Sequence, residues 1–363
     1  MLRVFFHPLS ITAFVAFFIA LLMAVYPTET LLSSLRGLSI WWEVLFPALF
    51  PFFVISELLL GFGIVHFFGK LLDPFMRPLF RLPGIGGFVV AMGYMSGYPV
   101  GARLTAQLWA QKLITRAEGE RLVAFTTTSD PIFLIGAVSV GFFQNVAVAP
   151  ILAFAHYGGG LLIGFLMRFH DAKSDSLSLN HVQKNNSNAS LLIKGRIAKS
   201  RIALALKAMH EARLLDGRGL GRLLQDSVQS ALRLMIVVGG LVVFFSVVME
   251  MLTHIGLVEL LTEILRLCFG LLGMPIQLAD AGIFGLFEVT LGARASGSSS
   301  TGLMHGVAMA AWVLSWSGLS VHAQIASLLS RTNLRYRPFL LARLLHGFIA
   351  MILVYLLWGW LGP

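Results

Sequence analysis

The chain has 363 residues, of which 57% are hydrophobic and 12% charged. Soluble domains carry about 45–50% apolar and about 25% charged residues, so this composition suits a bilayer rather than water. The formal charge of +10 does not point to nucleic acid, because the Lys and Arg residues stand between apolar runs and build no single basic face. One cysteine, Cys268, allows no disulfide framework within the chain and suggests no thiolate metal site.

In chain order, Arg3 precedes an apolar run at Leu9–Val25. No small-x-small cleavage site precedes Tyr26-Pro27-Thr28, so this run is expected to be a retained first helix. Further apolar runs fall at Trp41–Phe62, Leu122–Phe143, Val146–Met167, Ser230–Leu252, Gly302–Leu319 and Pro338–Trp360. A segment in lipid must satisfy its own backbone, so each is expected to be a spanning helix. Two other stretches, Gly84–Ala110 and Ile276–Ser299, are interrupted by glycine, proline and polar residues. They are expected to be re-entrant hairpins.

Cation counting supports that reading. Arg3, Lys70, Arg77, Arg81, Lys112, Arg116, Arg121, the eleven Lys or Arg of Arg168–Arg222, and Arg331, Arg335 and Arg337 fall on one side. Only Arg36 and Arg266 remain opposite. The crowded side is then cytoplasmic, with the N-terminus and the central insert. The insert begins as a polar linker and continues as a basic, helix-like stretch with Ile202, Leu204, Leu206 and Met209. It is either a solvated connector near the lipid surface or a docking helix.

The chain also repeats itself. Pro99-Val100-Gly101-Ala102-Arg103 matches Thr290-Leu291-Gly292-Ala293-Arg294 at an offset of 191 residues. The same offset relates Gly84 to Pro275 and Ser129 to Ser320, and an offset of 190 relates His156 to His346. The expected division is an N-terminal helix and connector over 1–40, a first repeat over 41–168, a basic cytoplasmic segment over 169–228 and a second repeat over 229–363. Each repeat has an odd number of crossings, so the two insert in opposite orientations. Inverted repeats with broken helices mark secondary transporters. The expected fold class is all-α and polytopic.

Candidate site residues follow from the breaks. In the first hairpin Ser96, Gly97, Tyr98, Pro99 and Gly101 interrupt a helix, with Arg103 one turn further on. Freed N–H groups there favour anions. The second hairpin carries Glu288, Thr290, Gly292, Arg294, Ser298 and Ser299. The string Thr126-Thr127-Thr128-Ser129-Asp130-Pro131 should unwind its helix and turn carbonyls toward a cavity. Asp130 is a candidate for a coupling ion or proton, and alternatively a plain helix cap. The two arginines alternatively reach for headgroups, and Glu288 is expected to pair with Arg294. No ATP-binding, zinc-protease or nucleophile-elbow motif occurs. No enzyme activity, cofactor or metal is expected, and no nucleic acid partner.

The strings Ser96-Gly97-Tyr98-Pro99-Val100-Gly101-Ala102, Thr126–Pro131 and Glu288-Val289-Thr290-x-Gly292 resemble the YlbJ-type sporulation integral membrane proteins. These belong to the nucleoside recognition (gate) superfamily, related to concentrative nucleoside transporters. The resemblance implies transport of dipicolinate, a small aromatic dianion, across the outer forespore membrane from the mother-cell cytoplasm. Arginines, half-helix N-termini and hydroxyls suit such an anion, and Tyr94 or Tyr98 could stack on its ring. Three other readings stand beside it: a carrier of nucleosides or other small solutes, a scaffold or gate subunit of a larger complex, and, weakest, a membrane enzyme. A homo-oligomer is possible on this reading.

Overall fold

The computed structural model describes residues 8–171, 201–298 and 300–363. Expectations placed on Arg3, on the polar linker and on Ser299 lie outside the described residues. Among the described residues the chain is all-helical, with no strand. It is an all-α, polytopic membrane protein.

Helix α1 (Pro8–Val25) meets α2 (Pro27–Ser39) at a sharp bend, 105° between Ala13–Val25 and Pro27–Glu43. A π-helical turn, Ile40–Leu45, leads into α3 (Phe46–Gly61). Gly63, in the left-handed region at φ 76°, then turns the chain into the amphipathic helix α4 (Ile64–Phe80). That turn bends Phe53–Gly61 against Ile64–Phe80 by 84°. A hairpin of α5 (Gly86–Ser96) and α6 (Tyr98–Ala110) follows, then α7 (Arg116–Thr126), the π-helical segment Phe133–Phe142, and the run α8 (Val146–Met167).

The same order returns in the second half. The long helix α10 (Leu220–His254) ends at Gly256, φ 73°, which opens the amphipathic helix α11 (Leu257–Leu271). A second hairpin, α12 (Ala279–Phe287) and α13 (Val289–Gly297), precedes α14 (Leu303–Trp316), α15 (Gly318–Leu329) and α16 (Tyr336–Leu361). Before this half, α9 (Arg201–Asp216) packs along α4. The basic stretch with Ile202 and Met209 is therefore a seated helix.

Seven spans were expected, the third of them unwound at the Thr126–Pro131 string. Among the described residues three helices are long and apolar enough to cross a bilayer unaided, Val146–Met167, Leu220–His254 and Tyr336–Leu361, or up to five if each of the two bent pairs is one span. The expected span Leu122–Phe143 stops at Thr126 and resumes at Pro131, since Pro131 lacks an N–H and disfavours helix in the residue before it. The expected span Gly302–Leu319 stops at Trp316, where Ser317 and Gly318 both take left-handed conformations at φ 78° and 74°.

Each hairpin is packed onto the broken helix that follows it, by glycine. A Cβ on Gly93 or Gly101 would lie 2.5 or 2.4 Å from the Thr126 carbonyl oxygen, so the first hairpin's two arms straddle the end of α7. In the second hairpin a Cβ on Gly292 would fall 2.2 Å from Gly285 Cα, and one on Gly285 would fall 2.4 Å from the Val313 side chain of α14. At Gly93, Gly101 and Gly292 no larger residue fits without moving backbone.

The cation-rich connections meet at one end. Glu120, fully buried there, accepts hydrogen bonds from the Arg335 guanidinium at 2.9 and 2.8 Å and from the Arg335 N–H at 3.0 Å, and it pairs with His170 at 2.7 Å. Arg335 also reaches Asp171 at 3.2 Å. Burial pushes the Glu120 carboxyl up, but the hydrogen bonds from Arg335 and His170 outweigh it and hold the group below its ordinary range.

Candidate functional site

Both hairpin tips, the first helix break and the helix α15 border one small cavity, about 60 Å³ in volume. The first tip contributes Gly97, Tyr98 and Pro99, and the first break contributes Asp130 and Phe133. Glu288, Val289 and Thr290 come from the second tip, and Ser320, Val321 and Gln324 from α15. Leu45, Val238 and Val242 close the remaining wall.

Local sequence explains each contribution. Gly97 adopts φ 87°, which only glycine tolerates easily, and Pro99 sits in the first turn of α6 where its missing N–H costs nothing. The N-terminus of α6 has no side-chain cap and faces the cavity. Glu288 is extended and its carboxylate accepts the Leu291 N–H at 2.8 Å, capping α13. Asp130 does the same for the segment after the first break, accepting the Phe133 N–H at 2.8 Å. The cavity therefore holds two carboxylates, and no cation lines it.

Behind the cavity lies a buried polar layer. Thr128 Oγ1 and His156 Nε2 are 2.7 Å apart, and His156 Nδ1 and Ser315 Oγ are 2.9 Å apart, so the first break and the last turn of α14 share one imidazole. His346 stacks on His156 with ring centroids 5.2 Å apart and bonds its carbonyl at 2.8 Å. Arg343, fully buried on α16, donates to the carbonyls of Thr127 and Ala124 at 2.5 and 2.6 Å. It thereby takes up carbonyls that the first break frees. Tyr98 donates its hydroxyl to the Leu314 carbonyl at 2.9 Å, tying the first tip to the second broken helix.

The structure brings together six of the residues singled out from sequence: Gly97, Tyr98, Pro99, Asp130, Glu288 and Thr290. Ser96 is buried one residue before the tip. Gly101 and Gly292 serve packing at the hairpin crossings. Thr127, Thr128 and Ser129 are buried and turn inward: Thr127 bonds the Val123 carbonyl at 2.9 Å, and the Ser129 N–H meets His156 at 3.1 Å.

The arginines lie elsewhere. Arg103 pairs with Glu57 at 2.6 Å and reaches Ser230, both away from the tips. Arg294 is exposed, and the expected pair with Glu288 does not form, because the Glu288 carboxylate turns back onto its own helix. Ser298 is exposed and donates to the Arg294 carbonyl at 2.8 Å. Sequence reasoning passed over Arg343. The signal was a lone charge inside the apolar run Pro338–Trp360, which seldom survives in a span without a buried partner.

A family model described as "Nucleoside recognition" (Gate) matches residues 42–159, from the π-helical turn before α3 through both arms of the first hairpin and into α8. Over 352 residues the chain is 43% identical to the sporulation integral membrane protein YlbJ of Bacillus subtilis, covering 97% of this chain and 83% of that protein. A 108-residue stretch is 28% identical to an uncharacterized protein of Alkalihalophilus pseudofirmus, covering 28% of this chain and 23% of that one. No solved structure matches the chain. On the full-length identity, the chain belongs to the YlbJ family of sporulation integral membrane proteins.

Proposed function

We propose that the chain is a secondary transporter that passes a small carboxylate-bearing solute, dipicolinate, between the two hairpin tips. One observation carries the reading: hairpin tips from different halves of the chain converge on one cavity, with the first helix break and α15 beside them. Irregular backbone at membrane depth is tolerated where it lines a path for solute, and this arrangement recurs in carriers built from repeats. On this reading residues 41–168 and 229–363 are the two repeats, inserted in opposite orientations. The chain sits in the outer forespore membrane, with the Glu120 end facing the mother-cell cytoplasm.

Asp130 and Glu288 set the terms of transport. A dianion beside two carboxylates, in a cavity lined by no cation, is strongly disfavoured. Protons on these acids, or a cation between them, remove the conflict, so transport of the anion is coupled to proton or cation movement. The uncapped N-terminus of α6, the Thr290 and Ser320 hydroxyls and the Gln324 amide then supply donors. A cavity of about 60 Å³ is far below the roughly 300 Å³ of ordinary ligand pockets, so the site must widen to admit an aromatic solute.

A second reading, a carrier of neutral nucleosides, is favoured by the acid and amide lining of the same cavity. Uptake of labelled dipicolinate and of uridine into liposomes, at several internal and external pH values, separates the two. The first reading expects pH-dependent dipicolinate flux that Asp130→Asn and Glu288→Gln each reduce at least about tenfold, an interaction worth about 1.4 kcal/mol. Uridine flux with no dipicolinate flux would reverse the order of the readings. Flux of neither solute, beside an active control carrier, sinks both.

A further inference from the structure

A second and much larger space, about 610 Å³, opens beside the cavity between the tips. The same three helices, α6, α10 and α15, line both. On α6 the inner cavity takes Pro99 and the outer space Arg103; on α15 they take Gln324 and Ser327; on α10 they take the adjacent residues Val238 and Val237. At a rise of about 1.5 Å per residue, one space begins about one helical turn beyond the other. The outer space therefore lies directly over the inner one, toward the end of the chain where α15 stops at Leu329.

Its chemistry is opposite to that of the inner cavity. Arg103, Arg233 and Arg331 line it, together with Gln107, Ser230 and Thr332, and no carboxylate does. Arg103 has its charge matched by Glu57. Arg233 and Arg331 are exposed and make no ion pair among the described residues. A concave surface of one sign concentrates ions of the other and raises their association rate. The volume, unlike that of the inner cavity, is within the range of small-molecule sites.

We propose that this space is an anion-gathering vestibule, in which the Arg233 and Arg331 guanidiniums bind the carboxylates of a small organic dianion before it passes between the hairpin tips. The inference rests on the transport reading above and deepens it: cations select the solute outside, and the acids inside handle its charge. A lipid phosphate offers the same oxyanion chemistry, and Ile236 and Val237 on one wall are exposed apolar side chains. The test has to tell these sources apart.

The full chain is placed in nanodiscs of phosphatidylcholine, and binding of labelled dipicolinate is measured for the natural chain and the double variant R233Q/R331Q. The natural chain is expected to bind, with the double variant about three- to tenfold weaker, as two exposed charge contacts allow. That difference should shrink as salt rises from about 0.05 M to about 0.5 M. Uptake should show a raised KM with kcat unchanged. Equal binding by both proteins, no binding by the natural chain, or binding abolished when phosphatidylglycerol is added to the discs would each overturn the vestibule. The two readings fail separately. Arginine-dependent binding without flux sinks transport of dipicolinate and leaves the vestibule standing; flux with an unaltered KM in the double variant does the reverse.

Discussion

The two halves of the chain use the same skeleton and different chemistry. In each, a left-handed glycine (Gly63, Gly256) turns into an amphipathic helix, a hairpin packs by glycine on a broken helix, and a long helix follows. The tips diverge. The first is bare backbone at Gly97, and the second places a carboxylate, Glu288, at the position 191 residues on. The breaks diverge too. Thr127–Asp130 spans four residues and leans on Arg343 from the other half, whereas Ser317–Gly318 is a tight left-handed turn whose flanking Trp316 carbonyl meets His322 at 3.1 Å. The two halves share what the backbone needs in order to turn and differ in the side chains they place there.

Alanine at the crossings gives the sharpest test of the shared part. Gly101→Ala and Gly292→Ala each drive a Cβ into backbone atoms, at 2.4 and 2.2 Å. Each should cost about 3 kcal/mol or more, read as a large fall in the melting temperature of the purified protein. If one of them is tolerated, the crossings are not equivalent devices.

Next in size is the asymmetric brace. Arg343→Met leaves the Thr127 and Ala124 carbonyls buried without their donor, at a cost of about 2–4 kcal/mol. Arg343→Lys should recover part of it. A methionine variant as stable as the natural chain would remove Arg343 from the account of the first break.

A third contrast is Glu120, whose counterpart 191 residues on is the apolar Ala311. Its carboxyl is held below the ordinary range of about 4.3. Its stabilisation is therefore complete above that pH and lost as pH falls through the lower folded value. Glu120→Gln should cost about 2 kcal/mol at neutral pH and flatten the acid limb of the stability profile. An unchanged acid limb would assign that loss to other groups.

The smallest expected effect compares the two left-handed turns. Gly256→Ala meets open space and should cost about 1 kcal/mol from conformation alone. Gly63→Ala carries the same strain, and its Cβ would also lie 2.7 Å from the Met209 carbonyl oxygen of α9. Equal costs in a denaturation series would mean that α9 is not seated on this turn.

The parts of this architecture governed by backbone were legible in the sequence. Gly97 with Pro99, and the Thr-Ser-Asp-Pro string before Phe133, interrupt helices by steric rule, whatever surrounds them. The break at Ser317–Gly318 was harder to see. Serine and glycine weaken a helix by only about 1 kcal/mol, and packing decides whether it yields. Side-chain partners were the least legible. Nothing local to Arg103 says that Glu57, 46 positions earlier, will take its charge. Nothing local to Glu288 says that its carboxylate will cap its own helix instead of meeting Arg294. Arg343 went unread because one charge barely lowers the average of a 26-residue helix.

The bonds from Arg343 to Ala124 and Thr127 join residues 219 and 216 positions apart. The chain is made from its N-terminus, so α7 and its frayed end exist long before α16 does. Until α16 arrives, the carbonyls at the break lack their guanidinium donor, and bare carbonyls are ill-suited to lipid. Contacts of such long sequence separation form slowly. The break in the first half is thus synthesised more than 200 residues before the helix that carries its donor, and its carbonyls gain that donor only when α16 docks.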